Sequence, residues 1–582
     1  MLCSVLPLTQ RFSTMGFTDL LEMVGSTGRF QMVHVTLLAL PVLMMASHNL
    51  LQNFVAAVPD HRCRIRADAL GNASRQSPGN VTGEVPAEEL LLPVFIPLDR
   101  EGRPERCRLF AEPQWQFLDP NRTHEDGSST TRPCTNGWLY SHGDVTSTII
   151  SEWDLVCDQR SLKQMSQSIY MSGVLVGAIV MGQMSDRFGR RPILLWSHLQ
   201  LAITGTCGSF SSSFPLFCFW RFMCGVAVSG LILNSFSLTV EWIPTKVRTS
   251  VATLNNYSYT IGQFLLVGLA YALRNWRWLQ FAVSAPFFIY FLYSWWFPES
   301  ARWLIMNDKA DVAVNQLKRV ARLNGREAEG SKLTAAIVKS HMEKELSKCK
   351  TGYSVTDLFH TPVMRRTACC TMVVWFSVSF AYYGLSIDLQ GFGVNIYLIQ
   401  MIFAAVDIPA KLVGVATMSL IGRRFTQGSS LILAGTIIII NIFIPQEMSN
   451  LRTSFAAIGK GCLAASFSCA YLHAGELYPT VVRQTGMGLV SSMARIGSMV
   501  APLVKMTGDY VSFLPMAIYG GVAVLAGIVA FFLRETLNIP LPESIEGVES
   551  SWKKKMQKES EPKNEEISLR ETPPPSLMTQ TI

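Results

Sequence analysis

Charge is what this sequence has little of. Only 16% of its 582 residues are Asp, Glu, Lys or Arg, against roughly a quarter in an ordinary soluble protein. A disordered chain, or one that coats nucleic acid, needs dense charge, so both classes are excluded. Catalytic signatures are lacking as well. The apolar runs hold no His-Glu-x-x-His, no Gly-x-Ser-x-Gly and no cluster of metal ligands, so no enzyme, metal or other cofactor is expected. Apolar side chains are abundant, 49% of the whole, and give a mean hydropathy of +0.25. They are gathered in long runs, which points to a membrane.

Crossing a hydrocarbon core of about 30 Å takes roughly 20 mostly apolar residues in a helix. About a dozen runs qualify: Met32–Ala57, Met165–Met184, Pro192–Phe210, Phe214–Val240, Ser250–Leu273, Trp276–Phe297, Cys369–Leu389, Val394–Ile421, Ser429–Pro445, Phe455–Tyr478, Gly486–Val504 and Leu514–Leu533. They are too long, and alternate too little, for barrel strands. The first follows a polar stretch and is not a cleavable signal peptide. Met15 could itself start translation, which would make Met1–Thr14 a dispensable extension.

The expected fold is an all-α membrane protein of about twelve transmembrane helices in two repeated six-helix bundles. Its parts are a cytoplasmic N-terminus over 1–31, a first span over 32–57, an outer loop over 58–163 and the rest of the first bundle over 164–297. A cytoplasmic linker with short amphipathic helices occupies 298–366, the second bundle 367–534, and a disordered cytoplasmic tail 535–582. The outer loop carries Cys63, Cys107, Cys134 and Cys157 together with glycan acceptor patterns at Asn72, Asn80 and Asn121. That combination marks an oxidised, glycosylated outside region, with the pairing left open by spacing. With this loop outside, Arg187, Arg190, Arg191, Lys246, Arg248, Arg423 and Arg424 fall inside, as the positive-inside rule requires.

The two bundles are legible as a duplication. Glu241-Trp-Ile-Pro-Thr-Lys-Val-Arg248 closes the fourth span and Glu476-Leu-Tyr-Pro-Thr-Val-Val-Arg483 the tenth. Gly189-Arg190-Arg191 matches Gly422-Arg423-Arg424, and Glu299-Ser300 matches Glu535-Thr536. Parallel repeats around a mid-membrane site are a transporter arrangement. The carboxylates at Asp186, Glu241, Glu299, Glu476 and Glu535, with the loop arginines and Arg302, are expected to pair when the inner mouth is shut and part when it opens. The alternative is solvated surface charge, worth little per pair.

Gly182-Gln-Met-Ser-Asp-Arg-Phe-Gly-Arg-Arg191 resembles the signature loop of the major facilitator superfamily. Ser419 stands where the second copy would have the aspartate, which confines any aspartate latch to the first half. The cysteine loop, Ser151-Glu-Trp-Asp-Leu-Val-Cys157 and Pro298-Glu-Ser-Ala-Arg-Trp-Leu304 resemble the organic anion and cation transporter family. Ala46-Ser-His-Asn49, Phe380-Ala-Tyr-Tyr-Gly-Leu385, Val406-Asp-Ile-Pro-Ala-Lys411, Gly459-Lys-Gly-Cys462 and Gln484-Thr-Gly-Met-Gly488 resemble its anion branch. The likeness runs from Met15 to about Glu549.

A charge at the bilayer centre costs about 3 kcal/mol even on the lenient insertion scale, so intramembrane charges need a reason. Three bases stand out: Lys411, Lys460 and Arg495. Lys411 and Arg495 each lie twelve residues from an inner boundary arginine, Arg423 and Arg483, or about 18 Å along a helix. Arg495 has no acid within a helical turn and suits an arriving carboxylate or sulfate; the family likeness points the same way. Lys411 has Asp407 at i−4, which leaves an intrahelical bridge and an anion contact both open. Lys460 reads either as a packing or snorkelling lysine or as one that draws anions inward. His48, Asn49, Gln52 and Asn53 form a polar face on the first span, with His48 read as a neutral hydrogen-bonding imidazole. Tyr257, Tyr259, Trp375, Phe376, Phe380, Tyr382, Tyr383 and Phe467 supply aromatic surface. The resemblance implies that Tyr382, Tyr383 and Phe467 wall the site.

The expectation is a plasma-membrane carrier, in epithelia, of amphipathic aromatic or steroidal carboxylates and sulfates, with urate a further candidate. It works by alternating access in exchange for an intracellular counter-anion. Membrane lipid is its surroundings, nucleic acid is no partner, and Thr579-Gln-Thr-Ile582 is a weak match to a PDZ ligand. The rivals are a cation or zwitterion carrier of the same family and a non-transporting ligand sensor on the same scaffold.

Overall fold

The structure, a computed structural model, describes residues 17–25, 27–65, 91–99, 102–118, 130–141, 146–340, 354–387, 389–539, 542 and 544–550. Twelve helices or helix pairs form the body. In the first half these are α1, Arg29–Leu50 continued by Gln52–Val55, α2 Ser161–Phe188, α3 Arg190–Ser209, α4 Phe214–Glu241 and α5 Thr245–Ala272. The sixth, α6, is Trp276–Ser284 resumed after Ala285 as Pro286–Ser294. The second half has α7 Pro362–Ile387, α8 Ile396–Leu420, α9 Arg423–Ile440, α10 Ser449–Leu477, α11 Arg483–Lys505 and α12 Leu514–Ala530.

Eight of these are long and apolar enough to cross a membrane. The four below that threshold have visible reasons, which for α3 are Arg190, Arg191, Ser197, His198 and Gln200 within 20 residues. α12 is 17 residues long, α6 is broken before Pro286, and α5 carries Asn255, Asn256, Ser258, Thr260 and Gln263 among its apolar positions. The polar stripe that dilutes α5 faces inward, where Thr260 and Gln263 are fully buried. The halves meet along α2 against α11 and α5 against α8.

On one face the loop region forms two small antiparallel two-stranded sheets. β1 (His61–Cys63) pairs with β4 (Trp138–Tyr140), and β2 (Arg108–Phe110) with β3 (Thr131–Pro133). The open question of pairing is resolved as Cys63–Cys134 and Cys107–Cys157. Asn72, Asn80 and Asn121, the start at Met1–Thr14 and the end at Thr579–Ile582 lie outside the described residues.

The opposite face shows how each repeat is built. α2 and α3 are joined by Gly189 alone, and α8 and α9 nearly so by Gly422. Both glycines are left-handed, at φ +106° and +120°, so Arg190, Arg191, Arg423 and Arg424 open helices and do not sit in loops. A Cβ at Gly189 would fall 2.3 Å from Glu299 Oε2, and one at Gly422 2.5 Å from Glu535 Oε2. The carboxylates come this close because they cap the helix that follows. Glu299 accepts from the backbone N–H of Arg190 (3.0 Å), Arg191 (3.1 Å) and Ser300 (2.8 Å). Glu535 accepts from those of Arg423 (2.9 Å), Arg424 (3.0 Å), Thr536 (2.9 Å) and Leu537 (3.0 Å).

The segments before and after each bundle also correspond. A helix at Phe17–Met23 precedes α1, and one at Asp357–His360 precedes α7. After the first bundle, the helices Ala301–Met306 and Ala310–Leu323 lead to Asn324. Its Oδ1 accepts from Phe30 N at 3.0 Å, and its Nδ2 donates to Val24 O and Gly25 O. After the second, residues 545–550 are helical and Glu549 Oε1 accepts from Val363 N at 3.0 Å. Phe30 and Val363 are each the second residue of the helix that opens their bundle. Ile545 and Val548 pack with Leu358 and Met364, so the expected tail begins as a packed brace. Residues 551–582 lie outside the described set.

Burial raises the Glu299 carboxyl above its ordinary range, in spite of the amides that favour its charge. At Glu535 burial pushes the same way, but the amides of Arg423, Leu537, Thr536 and Arg424 outweigh it and hold the carboxyl below that range. Glu535 therefore contributes stability that is present above the ordinary carboxylate range and lost as pH falls through its lowered pKa. The contribution of Glu299 has the opposite sign. Glu535→Gln is expected to lower the unfolding temperature of the purified protein in detergent at pH 7 more than Glu299→Gln does. A larger loss at position 299 would contradict this account.

Candidate functional site

The mid-span charges sort differently from their sequence spacing. Asp407 does not bridge to Lys411 at i+4. It pairs across helices with Lys460 of α10, whose Nζ lies 3.1 Å from both carboxylate oxygens and 3.0 Å from Phe403 O. Both side chains are fully buried, at 0% and 1% exposure. Lys460 is thus neither a snorkelling lysine nor an accessible cation, because its hydrogen-bonding capacity is spent inside the protein. Asp407 also accepts from Gln263 Nε2 at 3.0 Å and from the Tyr382 hydroxyl at 3.5 Å.

Lys411 instead reaches the other half. Its Nζ donates to Asn256 O at 3.0 Å and to Thr260 Oγ1 at 2.8 Å, both on α5. Arg495 donates Nη1 to Ser491 O and Oγ on its own helix, and among the described residues it forms no ion pair. Tyr471 and Tyr383 lie within electrostatic reach of its guanidinium. The surrounding wall is aromatic: Tyr382 and Phe467 rings are 6.0 Å apart, Tyr382 and Tyr383 5.6 Å, and Trp375 and Tyr471 4.4 Å.

On α1 the polar face is divided among neighbours. Asn49 accepts from the Tyr170 hydroxyl at 2.7 Å and donates to that of Tyr259 at 3.4 Å. Asn53 crosses to the other half, donating to Ser386 O (2.9 Å) and Gln400 Oε1 (3.2 Å). His48 is fully buried against Phe287 of α6, within the first half. Tyr259, and not Tyr257, joins this network, because two residues on a helix are turned roughly 200° apart.

The arginine–carboxylate clusters on the face opposite the disulfides close within each half. Arg190 pairs with Asp186 (3.1 Å) and Glu241 (3.7 Å), and Arg423 grips Glu476 through two bonds of 3.1 and 3.2 Å. Glu299 and Glu535 hold backbone amides, not arginine side chains, since the tight connections bring a helix N-terminus to them. Arg187 lies over Phe188, and Arg191 and Arg248 donate to Trp295 O and Val240 O. Arg424 opens α9, Arg302 opens the helix after α6, and Arg483 donates to Tyr478 O. By contrast, side-chain bonds between halves run from the disulfide face to mid-span: Arg160–Asp509 at 2.8 Å, Lys163–Gln390 at 3.3 Å and the Asn53 and Gln263 contacts toward that face, with the Lys411 contacts at mid-span. A cavity of about 400 Å³ on the opposite face, lined by Arg366, Glu476, Arg534 and Glu535, holds none of the mid-span residues.

The chain is 53% identical over 557 residues to solute carrier family 22 member 6-A of Xenopus laevis, covering 96% of this chain and 98% of that one. The chain belongs to solute carrier family 22. To the family's member 6 of Danio rerio it is 56% identical (92% of this chain, 94% of that one), and to organic anion transporter 3 of Rattus norvegicus 49% (94% and 96%). A model of the sugar (and other) transporters matches residues 121–546. The fold is similar to the partially occluded inward-open form of the Escherichia coli xylose transporter XylE, at TM-score 0.56 and 14% identity over 87% of this chain and 98% of that one. This solute carrier is therefore a multi-pass membrane protein of the major facilitator fold.

Sequence reading missed Arg221. It is fully buried on α4 with its guanidinium 4.3 Å from the Tyr170 ring, and Nη2 donates to Gln167 at 3.4 Å. One arginine inside a long apolar run was the available signal. The partnership of Lys460 with Asp407 left none, since nothing over a separation of 53 residues marks it.

Breaking a buried pair by removing one partner typically costs about 3–5 kcal/mol, because a charge is stranded. Asp407→Asn is expected to reduce surface abundance and thermal stability of the carrier by that order. Asp407→Asn combined with Lys460→Met should recover part of the loss, and surface biotinylation with detergent-phase unfolding would show whether it does.

Proposed function

We propose that this protein carries organic anions across the plasma membrane by alternating access, with Arg495 as the principal contact for the anionic group. The observation that carries the reading is a half-buried mid-span guanidinium with no ion-pair partner among the described residues, set beside Tyr383 and Tyr471. A planar fork of donors suits a carboxylate or sulfate, and flat aromatic walls suit an aromatic or steroidal body. Lys411 adds a second cation at a similar depth, while Asn49, Tyr259, Tyr382, Tyr383 and Phe467 shape the walls. A relative named as an organic anion transporter supports the same class of cargo.

The disulfide face is the outer one in this reading, and both termini are cytoplasmic. The inter-half bonds from the outer face to mid-span and the self-contained clusters on the inner face suit a carrier whose inner mouth is open. Asp186, Glu241, Glu299, Glu476 and Glu535 then brace each half, and the arginines Arg190 and Arg423 are the groups to exchange partners when that mouth shuts. Exchange for an intracellular anion, residence in an epithelium and capture of Thr579–Ile582 by a PDZ scaffold belong to the proposal. The cation-carrier rival has a specific weakness: Asp407, the acid at mid-span, is already neutralised by Lys460.

Cells expressing the full chain should accumulate carboxyfluorescein or a labelled steroid sulfate above control cells, and not a labelled tetraalkylammonium. Uptake of the cation alone would overturn the proposal. Arg495→Asp is expected to abolish anion uptake at unchanged surface abundance, whereas unchanged uptake would remove Arg495 from the site.

A further inference from the structure

Asp407 and Lys411 stand at i and i+4 on α8 in the favourable order for an ion pair with each other, yet they do not make it. Each is instead engaged by α5, which belongs to the other half. Asn256, Thr260 and Gln263 recur at helical spacing and form one stripe along α5. Gln263 donates to Asp407 Oδ2 at 3.0 Å and accepts from Gln400 Nε2 at 3.3 Å. Thr260 and the Asn256 carbonyl take Lys411.

The geometry at Thr260 fixes the direction of its bond. Its hydroxyl donates back to Asn256 O at 3.3 Å, the habitual i−4 bond of a threonine inside a helix. With its hydrogen committed there, Oγ1 turns its lone pairs toward the Lys411 ammonium 2.8 Å away. An ammonium has three donors. Two are held by α5, and the third is left for other acceptors.

We infer that Thr260 is a positioning residue for anion recognition, holding the Lys411 ammonium away from Asp407 so that its charge remains available to cargo. The inference rests on the reading of Lys411 as an anion contact. Without the hydroxyl, the nearest strong acceptor on the same helix is the Asp407 carboxylate. Lys411 then closes the intrahelical pair and its attraction for an anion falls. Because α5 and α8 lie in different halves, rocking of the bundles would withdraw the same support, so the free positive charge in the site depends on which way the carrier faces.

The test is carboxyfluorescein and steroid-sulfate uptake by cells carrying the full chain, with surface biotinylation throughout. The variants are Thr260→Val, Thr260→Ser, Lys411→Ala and Thr260→Val with Lys411→Ala. Thr260→Val keeps the shape, loses the acceptor and is expected to raise KM about five- to tenfold, the usual net worth of one hydrogen bond. Thr260→Ser should restore it, and in the Lys411→Ala background Thr260→Val should add nothing. Wild-type KM in Thr260→Val, or a full additional loss in the double variant, would overturn the inference while leaving Lys411 in the site. Wild-type uptake by Lys411→Ala would overturn the reading of Lys411, and the inference with it. If Thr260→Val does not reach the surface, Thr260→Ala replaces it with the same expectations.

Discussion

Lys460 and Asp407 form the contact around which the second half is organised. A carboxylate and an ammonium withdrawn from water each forfeit several kcal/mol of hydration, and their attraction offsets this only when the remaining lone pairs and protons are also satisfied. Here they are: Phe403 O takes another ammonium proton, while Gln263 and Tyr382 donate to the carboxylate. The pair ties α8 to α10, and through Gln263 it reaches α5 in the other half. It also fixes the electrostatic balance at mid-span, since one acid cancels one base and leaves Lys411 and Arg495, with Arg221 nearer the disulfide face, as span charges without an ion pair among the described residues.

Features set by local sequence were legible, and features set by partners from distant helices were not. Hydrophobic runs mark the spans because hydrocarbon permits little else over that length. The glutamates after the sixth and twelfth spans stood out because duplication repeats them, yet their role as caps on backbone amides depends on tight turns at Gly189 and Gly422 that spacing alone does not reveal. Arg495 was singled out by the absence of nearby acids, and the structure leaves it without an ion pair among the described residues. Asp407 pairs with Lys460 and not with Lys411, whose bridge to it is one of two readings that spacing leaves open. An i+4 neighbour is visible in a sequence, whereas a partner on another helix is not. Arg221 escaped because a long apolar run averages away a single charge, and α5 was legible as a span but not as a polar stripe.

The polarity of α5 shows how a transport helix differs from a purely structural one. Its Asn, Thr and Gln side chains lower its hydropathy below that of its neighbours, a cost that lipid-facing packing would not require. Thr260, Gln263 and the Asn256 carbonyl on the inward stripe meet groups of the opposite half, so part of the surface that must separate during transport is hydrogen-bonded, beside apolar contacts such as Phe54 on Tyr397. Hydrogen bonds of this kind exchange for water at little net cost, which keeps the two arrangements of the bundles close in energy.

The matching braces under α1 and α7 change where one repeat ends and the next begins. Asn324 holds the second residue of α1, and Glu549 holds the second residue of α7. The helices that deliver Asn324 pack with Trp242, Phe297 and the segment before α1, all in the first half. The stretch from Ala301 to Val338 is therefore the tail of the first repeat more than a bridge to the second, and the second has its own counterpart at 544–550. Each half of the described residues thus carries its own leading helix, six spans and closing brace, so the first residues of α1 and α7 are anchored by chain that follows their own bundle.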